Sequence, residues 1–145
     1  MQLIQLTPNL MVGDLQTSIA FYQDILGFSI RMAVDEEKNI LVSGISPEPK
    51  LIYAQLEKDG VEIMLQEQSS MKEDLPVFSG CAIGASVSFY IIVENIDELF
   101  QQVRGKSDCI RELETTWYGM REFYIRDPDG YILGFAEQQT KQGNG

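Results

Sequence analysis

The sequence predicts an α+β fold of two β-α-β-β-β modules in tandem, and three observations carry that reading. A strand-to-helix block, Leu10-Met11-Val12-Gly13-Asp14-Leu15, recurs 81 residues later as Ile91-Ile92-Val93-Glu94-Asn95-Ile96. A hairpin block, Lys58-Asp59-Gly60-Val61-Glu62-Ile63-Met64-Leu65, recurs 70 residues later as Pro128-Asp129-Gly130-Tyr131-Ile132-Leu133-Gly134-Phe135. Alternation with period 2 through these blocks separates an apolar register from a mixed one. Self-similarity of this kind marks one supersecondary unit written twice.

In the first module, about residues 3–68, a strand through Leu10 and Val12 leads to Asp14, an N-cap whose side chain can accept from the first orphan amides of a helix. Leu15, Ile19, Tyr22 and Leu26 then fall on one helical stripe, and Gly27 suits the C′ position. Residues 35–49 hold Gly44, Pro47 and Pro49 and read as a loop; the two repeat offsets differ by 11, so this insertion belongs to the first module alone. Asp59-Gly60 is a hairpin turn, since glycine accepts positive φ. Residues 69–84 join the halves. In the second module, residues 85–138, Asn95 is the expected N-cap, Glu98 stands at the capping-box position, and Ile96, Leu99, Phe100 and Val103 form the stripe. Asp129-Gly130 supplies the second hairpin turn, and the polar tail 139–145 is expected to be mobile. The whole of 1–145 reads as one domain of two modules.

The composition narrows the chemistry. There are 22 acidic and 11 basic residues and no histidine in 145, a formal charge of −11. Nucleic acid and anionic membrane need basic residues to neutralise phosphate, so neither is an expected partner. Without histidine no Ser-His-Asp triad, Cys-His pair or His-ligated metal site can be built. Cys81 and Cys109 have no C-x-x-C spacing and read as buried small hydrophobes in a reducing compartment. No signal-like start and no long apolar run are present, so a cytoplasmic location is expected.

The two registers differ in character. Leu10, Val12, Val61, Ile63, Leu65, Val87, Phe89, Ile91, Val93, Tyr131, Leu133 and Phe135 form the apolar face, to be covered by the helices. The mixed face holds Thr7, Asn9 and Met11; Glu62, Met64 and Gln66; Ser86, Ser88, Tyr90 and Ile92; and Ile132, Gly134 and Ala136. Amides, hydroxyls, methionines and an aromatic suit the wall of a concave ligand site, while an ordinary solvated face is the plainer alternative.

The strings Val12-Gly13-Asp14-Leu15, Phe21-Tyr22, Leu26-Gly27-Phe28 and Arg126-Asp127-Pro128-Asp129-Gly130-Tyr131, set in a duplicated unit, resemble the vicinal oxygen chelate superfamily. That superfamily takes in glyoxalase I, extradiol dioxygenases, fosfomycin-modifying enzymes and bleomycin-resistance proteins. The resemblance covers residues 3–138 and implies a cup completed in a homodimer. It implies metal ligands at four positions, here Thr7, Met64, Ser88 and Gly134, which are expected to converge on the hollow. None is an imidazole, thiolate or carboxylate, so no metal and no cofactor is expected.

Within the superfamily, Thr116-Trp117-Tyr118-Gly119-Met120-Arg121-Glu122-Phe123 is most similar to the bleomycin-resistance-like branch, with Trp117 where a proline is common. The resemblance implies sequestration of a cationic, planar-ring compound. Tyr90, Trp117 and Tyr118 can stack on rings or hold a cation, Arg121 is a candidate contact, and Met11 and Met64 offer an adaptable floor. Arg126 is expected to tie down the turn at Asp127 and Asp129. The ligand-binding set is thus Thr7, Asn9, Met11, Glu62, Met64, Gln66, Ser88, Tyr90, Trp117, Tyr118, Arg121 and Gly134. Two other readings stay open. One is a glyoxalase-like lyase, isomerase or dioxygenase with a non-standard site, in which Glu62 or Tyr90 would act as general base; the other is a regulatory or interaction module with a vestigial cup.

Overall fold

In both halves of the chain the first strand lies parallel to the last, as the duplicated pattern requires. The computed structural model describes residues 1–139, which divide into two compact units between Gly84 and Ala85. Of the tail expected to be mobile, residues 140–145 lie outside the described residues.

The first unit contains β1 (Asn9–Val12), α1 (Leu15–Ala20) continuing as a π turn over Phe21–Ile25, β2 (Ser29–Asp35), β3 (Ile40–Leu41), β4 (Leu51–Lys58), β5 (Val61–Glu67) and α2 (Gln68–Asp74). Its sheet runs β1-β5-β4-β2-β3. The second contains β6 (Ser88–Ile92), α3 (Ile96–Val103), β7 (Asp108–Thr115), β8 (Met120–Arg126) and β9 (Ile132–Gln138), in the order β6-β9-β8-β7. The architecture is α+β, as expected.

Asp14 caps α1 as its sequence position predicts, accepting from the Gln16 amide at 3.1 Å. Leu15, Ile19, Tyr22 and Leu26 are all buried, over Leu10, Val12, Ala54, Leu56 and Leu65 of the sheet. Burial of each large aliphatic side chain contributes about 1.5–3 kcal/mol. Gly27 takes a φ of 78° and closes the helical run. In the second unit Phe100 of α3 meets Phe123 of β8 edge-on at 5.1 Å, and Phe123 stacks on Phe135 of β9.

Several local expectations need correcting. Asn95 makes no side-chain cap: it adopts the left-handed conformation, and the Glu137 carboxylate of β9 accepts from the Asn95 and Ile96 amides, each at 3.1 Å. Glu98 offers its own amide to the Asn95 carbonyl, and no reciprocal capping-box bond forms. The loop at 35–49 carries the short strand β3, its turn held by Asp35, whose carboxylate accepts from the Glu37 and Asn39 amides. The joining segment contains α2, capped by Glu67. Val87 precedes β6 and is exposed, as are both free cysteines, Cys81 and Cys109. Arg126 pairs with Asp108 at 2.9 Å; the turn at 127–131 is held by the Asp127 carboxylate, which accepts from the Asp129 and Tyr131 amides.

Candidate ligand-binding site

Strand pairing brings the mixed registers side by side within each unit. In the second, Tyr90 of β6, Gly134 of β9 and Tyr124 of β8 are successive neighbours across the sheet, and Ala136 pairs with Glu122. The Glu122 side chain is fully buried, at 0% exposure. It accepts hydrogen bonds from the Tyr90 hydroxyl at 2.6 Å, from the Tyr118 hydroxyl and from the Arg111 guanidinium. Burial pushes its carboxyl upward, but the two phenols and the arginine outweigh that, leaving it below the usual glutamate range. Glu122 is therefore an ionised group within the wall, out of direct contact with solvent.

The aromatic groups around it are accessible. Tyr90 and Tyr118 are half-exposed, and Trp117, at 94% exposure, stands edge-on to Tyr118 with ring centroids 5.2 Å apart. Three hydrogen bonds join Thr116 and Met120 across the β7–β8 turn that carries the aromatic pair, and Gly119 takes a φ of 85° there. Burial, followed by the negative charge of Glu122, raises the Tyr90 and Tyr124 phenols above their ordinary value. Both phenols are thereby held in the protonated form.

The first unit builds its own polar network. The Gln5 amide donates to the Thr7 hydroxyl at 2.8 Å and to the Glu62 carboxylate, which also pairs with Arg31. Asn9 of β1 pairs across the sheet with Met64 of β5, and its side-chain amide donates to Gln66 Oε1 at 2.9 Å. Gln66 in turn donates to Ser70 and Asp74 of α2, so α2 closes over the Met11–Gln66 end of this face. Both residues are buried.

The residues present do not fit the divalent ion that the resemblance implies. Thr7 and Met64 lie in the first unit and Ser88 and Gly134 in the second; none carries an anionic or imidazole donor. At Gly134 there is no room for one, because a Cβ there would come within 2.5 Å of the Tyr124 ring. Among the described residues no three of His, Cys, Asp and Glu are grouped to hold a metal ion.

Of the sequence-predicted contacts, Tyr90 and Tyr118 converge on one carboxylate, with Trp117 against Tyr118 and Ser88 and Gly134 on the same sheet face. Asn9, Glu62, Met64 and Gln66 share the corresponding face of the first unit, and Thr7, which precedes β1, joins Glu62 through the Gln5 amide. Arg121 stands apart: it lies on the helix-covered side of β8 and grips Asp97 of α3 through Nε and Nη2, at 3.1 and 2.8 Å. Glu122, Tyr124, Arg111, Gln5 and Arg31 join these networks without standing out in the sequence. The signal for the first two was available, because β8 alternates too and its Glu122 and Tyr124 share a register opposite Arg121 and Phe123.

Residues 3–135 match the family described as the glyoxalase/bleomycin resistance protein/dioxygenase superfamily. A bleomycin resistance protein from Geobacillus stearothermophilus is 33% identical over 145 residues, covering 94% of this chain and 98% of that protein. A protein of unknown function from Agrobacterium tumefaciens superposes with a TM-score of 0.68 at 22% identity, covering 96% of this chain and 98% of that one. A glyoxalase/bleomycin resistance protein/dioxygenase from Nocardioides gives 0.68 at 19% identity, over 100% of this chain and 90% of that one. With its duplicated strand order and a match over nearly its whole length, the chain belongs to the glyoxalase/bleomycin resistance protein/dioxygenase superfamily.

Proposed function

We propose that this chain is a metal-independent small-molecule-binding protein of the bleomycin-resistance type, a cytoplasmic homodimer that sequesters an aromatic, cationic compound without turning it over. The observation that carries this reading is the exposed aromatic set Tyr90, Tyr118 and Trp117 gathered over the buried, ionised Glu122. Rings present faces for stacking, and the carboxylate behind them biases the face towards positive charge. The net charge of −11 would speed capture of a cation in the same sense. The similarity to a bleomycin resistance protein supports the ligand class.

A dimer would add cover at β1 and β6, the strands at the ends of their sheets. Among the described residues no helix is long and apolar enough to cross a membrane. Titration calorimetry against bleomycin and a panel of aromatic cations, with light scattering for the mass, tests the proposal. Binding near one ligand per chain without product formation is expected; no heat from any compound would overturn it.

A further inference from the structure

Tyr90 and Tyr118 each have one hydroxyl proton, and the geometry fixes where both protons are. An ionised carboxylate can only accept, so each phenol bonded to Glu122 donates to it. Arg111 bonds the same Glu122 oxygen as Tyr118, which keeps the group ionised. What each phenol has left to offer is oxygen lone pairs, polarised by the charge behind them, and the Tyr118 oxygen already shares one with the Arg111 guanidinium.

The cations of this sheet face are committed as well. Arg111 is held by Glu122 and by Glu114 at 3.4 Å, with its guanidinium 4.7 Å over the Tyr124 ring. Arg126 is held by Asp108. One guanidinium between two carboxylates leaves the cluster net negative, and among the described residues of this face each guanidinium is already paired with a carboxylate.

Building on the small-molecule-binding reading above, we propose that Tyr90 and Tyr118 form an acceptor-only pair that selects ligands by hydrogen-bond direction. The compound presents N–H donors on an aromatic frame, as an amidinium, a guanidinium or a heteroaromatic N–H does. Carboxylates, phosphates and ring oxygens are refused, because lone pair then faces lone pair and neither phenol has a proton to turn outward. Sites built around one direction of hydrogen bonding discriminate far better than apolar pockets do.

Two matched pairs of probes separate charge from direction. 2-Naphthamidine and 2-naphthoate share a frame and differ in both; indole and benzofuran are neutral and differ only in N–H against ring oxygen. By calorimetry or NMR titration the wild-type chain should favour naphthamidine by at least about tenfold, and indole over benzofuran in the same sense. In Y90F/Y118F, which keeps both rings and the net charge, the indole preference should vanish while naphthamidine still binds. Where the double variant loses its fold, Y118F alone, on the exposed turn, should show the preference reduced. Equal binding of indole and benzofuran by wild type, or a preference unchanged in the variants, would overturn the assignment and leave capture of aromatic compounds standing. Binding of none of the four probes would overturn both.

Discussion

The ring of Tyr124 occupies the space that a side chain at Gly134 would need, the two residues facing each other directly across β8 and β9. This cross-strand relationship explains why glycine sits in the middle of a buried strand, a position where it ordinarily costs stability. The aromatic ring covers the gap and is held from above by Arg111. Gly134→Ala should therefore destabilise by about 1–3 kcal/mol through overpacking. Tyr124→Ala should relieve much of that cost, so that a urea-denaturation double-mutant cycle shows strong coupling. Additive effects would mean that the backbone shifts to admit the methyl.

Acid sensitivity should be traceable to Glu122. Burial raises its carboxyl, yet the bonds from Tyr118, Tyr90 and Arg111 more than reverse this, so its native value lies below its unfolded one. As pH falls the unfolded chain takes up this proton first. The stabilisation is present in full above the ordinary glutamate range and is lost as pH drops through the lower native value. Tyr118→Phe removes one of the bonds that depress the value, so between about pH 6 and pH 3 it should lose less stability than wild type does. Asp35 and Asp97, also held low, contribute equally to both proteins and cancel in the difference. Parallel losses in denaturation midpoints would exclude Glu122 as the source.

The start of α3 depends on a residue remote in sequence. Glu137 accepts from the Asn95 and Ile96 amides, so Glu137→Ala should cost about 1–2 kcal/mol, as the loss of a helix cap does. Asn95→Gly should be close to neutral in thermal melts, because Asn95 supplies only a left-handed conformation that glycine adopts freely. A larger loss at Asn95 than at Glu137 would return the cap to the local residue.

These elements show which parts of the molecule are legible from sequence. The helix stripes, the Asp-Gly turns and the strand registers are local periodic signals, and the structure reproduces them because burial enforces the same periods. The α3 cap is not legible locally because Asn95 and Glu137 are 42 residues apart, and no local rule reports which strand end lies against which helix start. Glu122 is hidden for another reason: a charged residue at a strand position reads as solvated unless its partners are known, and Arg111, Tyr90 and Tyr118 come from three other segments. Arg121 stands in the family-like motif, yet alternation alone places it with Phe123, towards α3 and Asp97.

Trp117 offers a direct test of where a ligand sits. It is the single tryptophan of the chain and is 94% exposed, its main contact being the edge-on Tyr118 ring. A side chain with so little buried surface contributes little to folding, so Trp117→Ala should change stability by no more than about 0.5 kcal/mol. If the ring closes over a planar ligand it gains a stacking partner, worth about 0.5–1.5 kcal/mol beyond area burial, which corresponds to an affinity loss of about 2- to 13-fold in the alanine variant. In the wild-type protein the same contact moves the indole from water to an apolar surface, so its emission should shift to the blue as aromatic cations are titrated in. Binding with neither a spectral shift nor a loss of affinity in Trp117→Ala would place the ligand away from the β7–β8 turn.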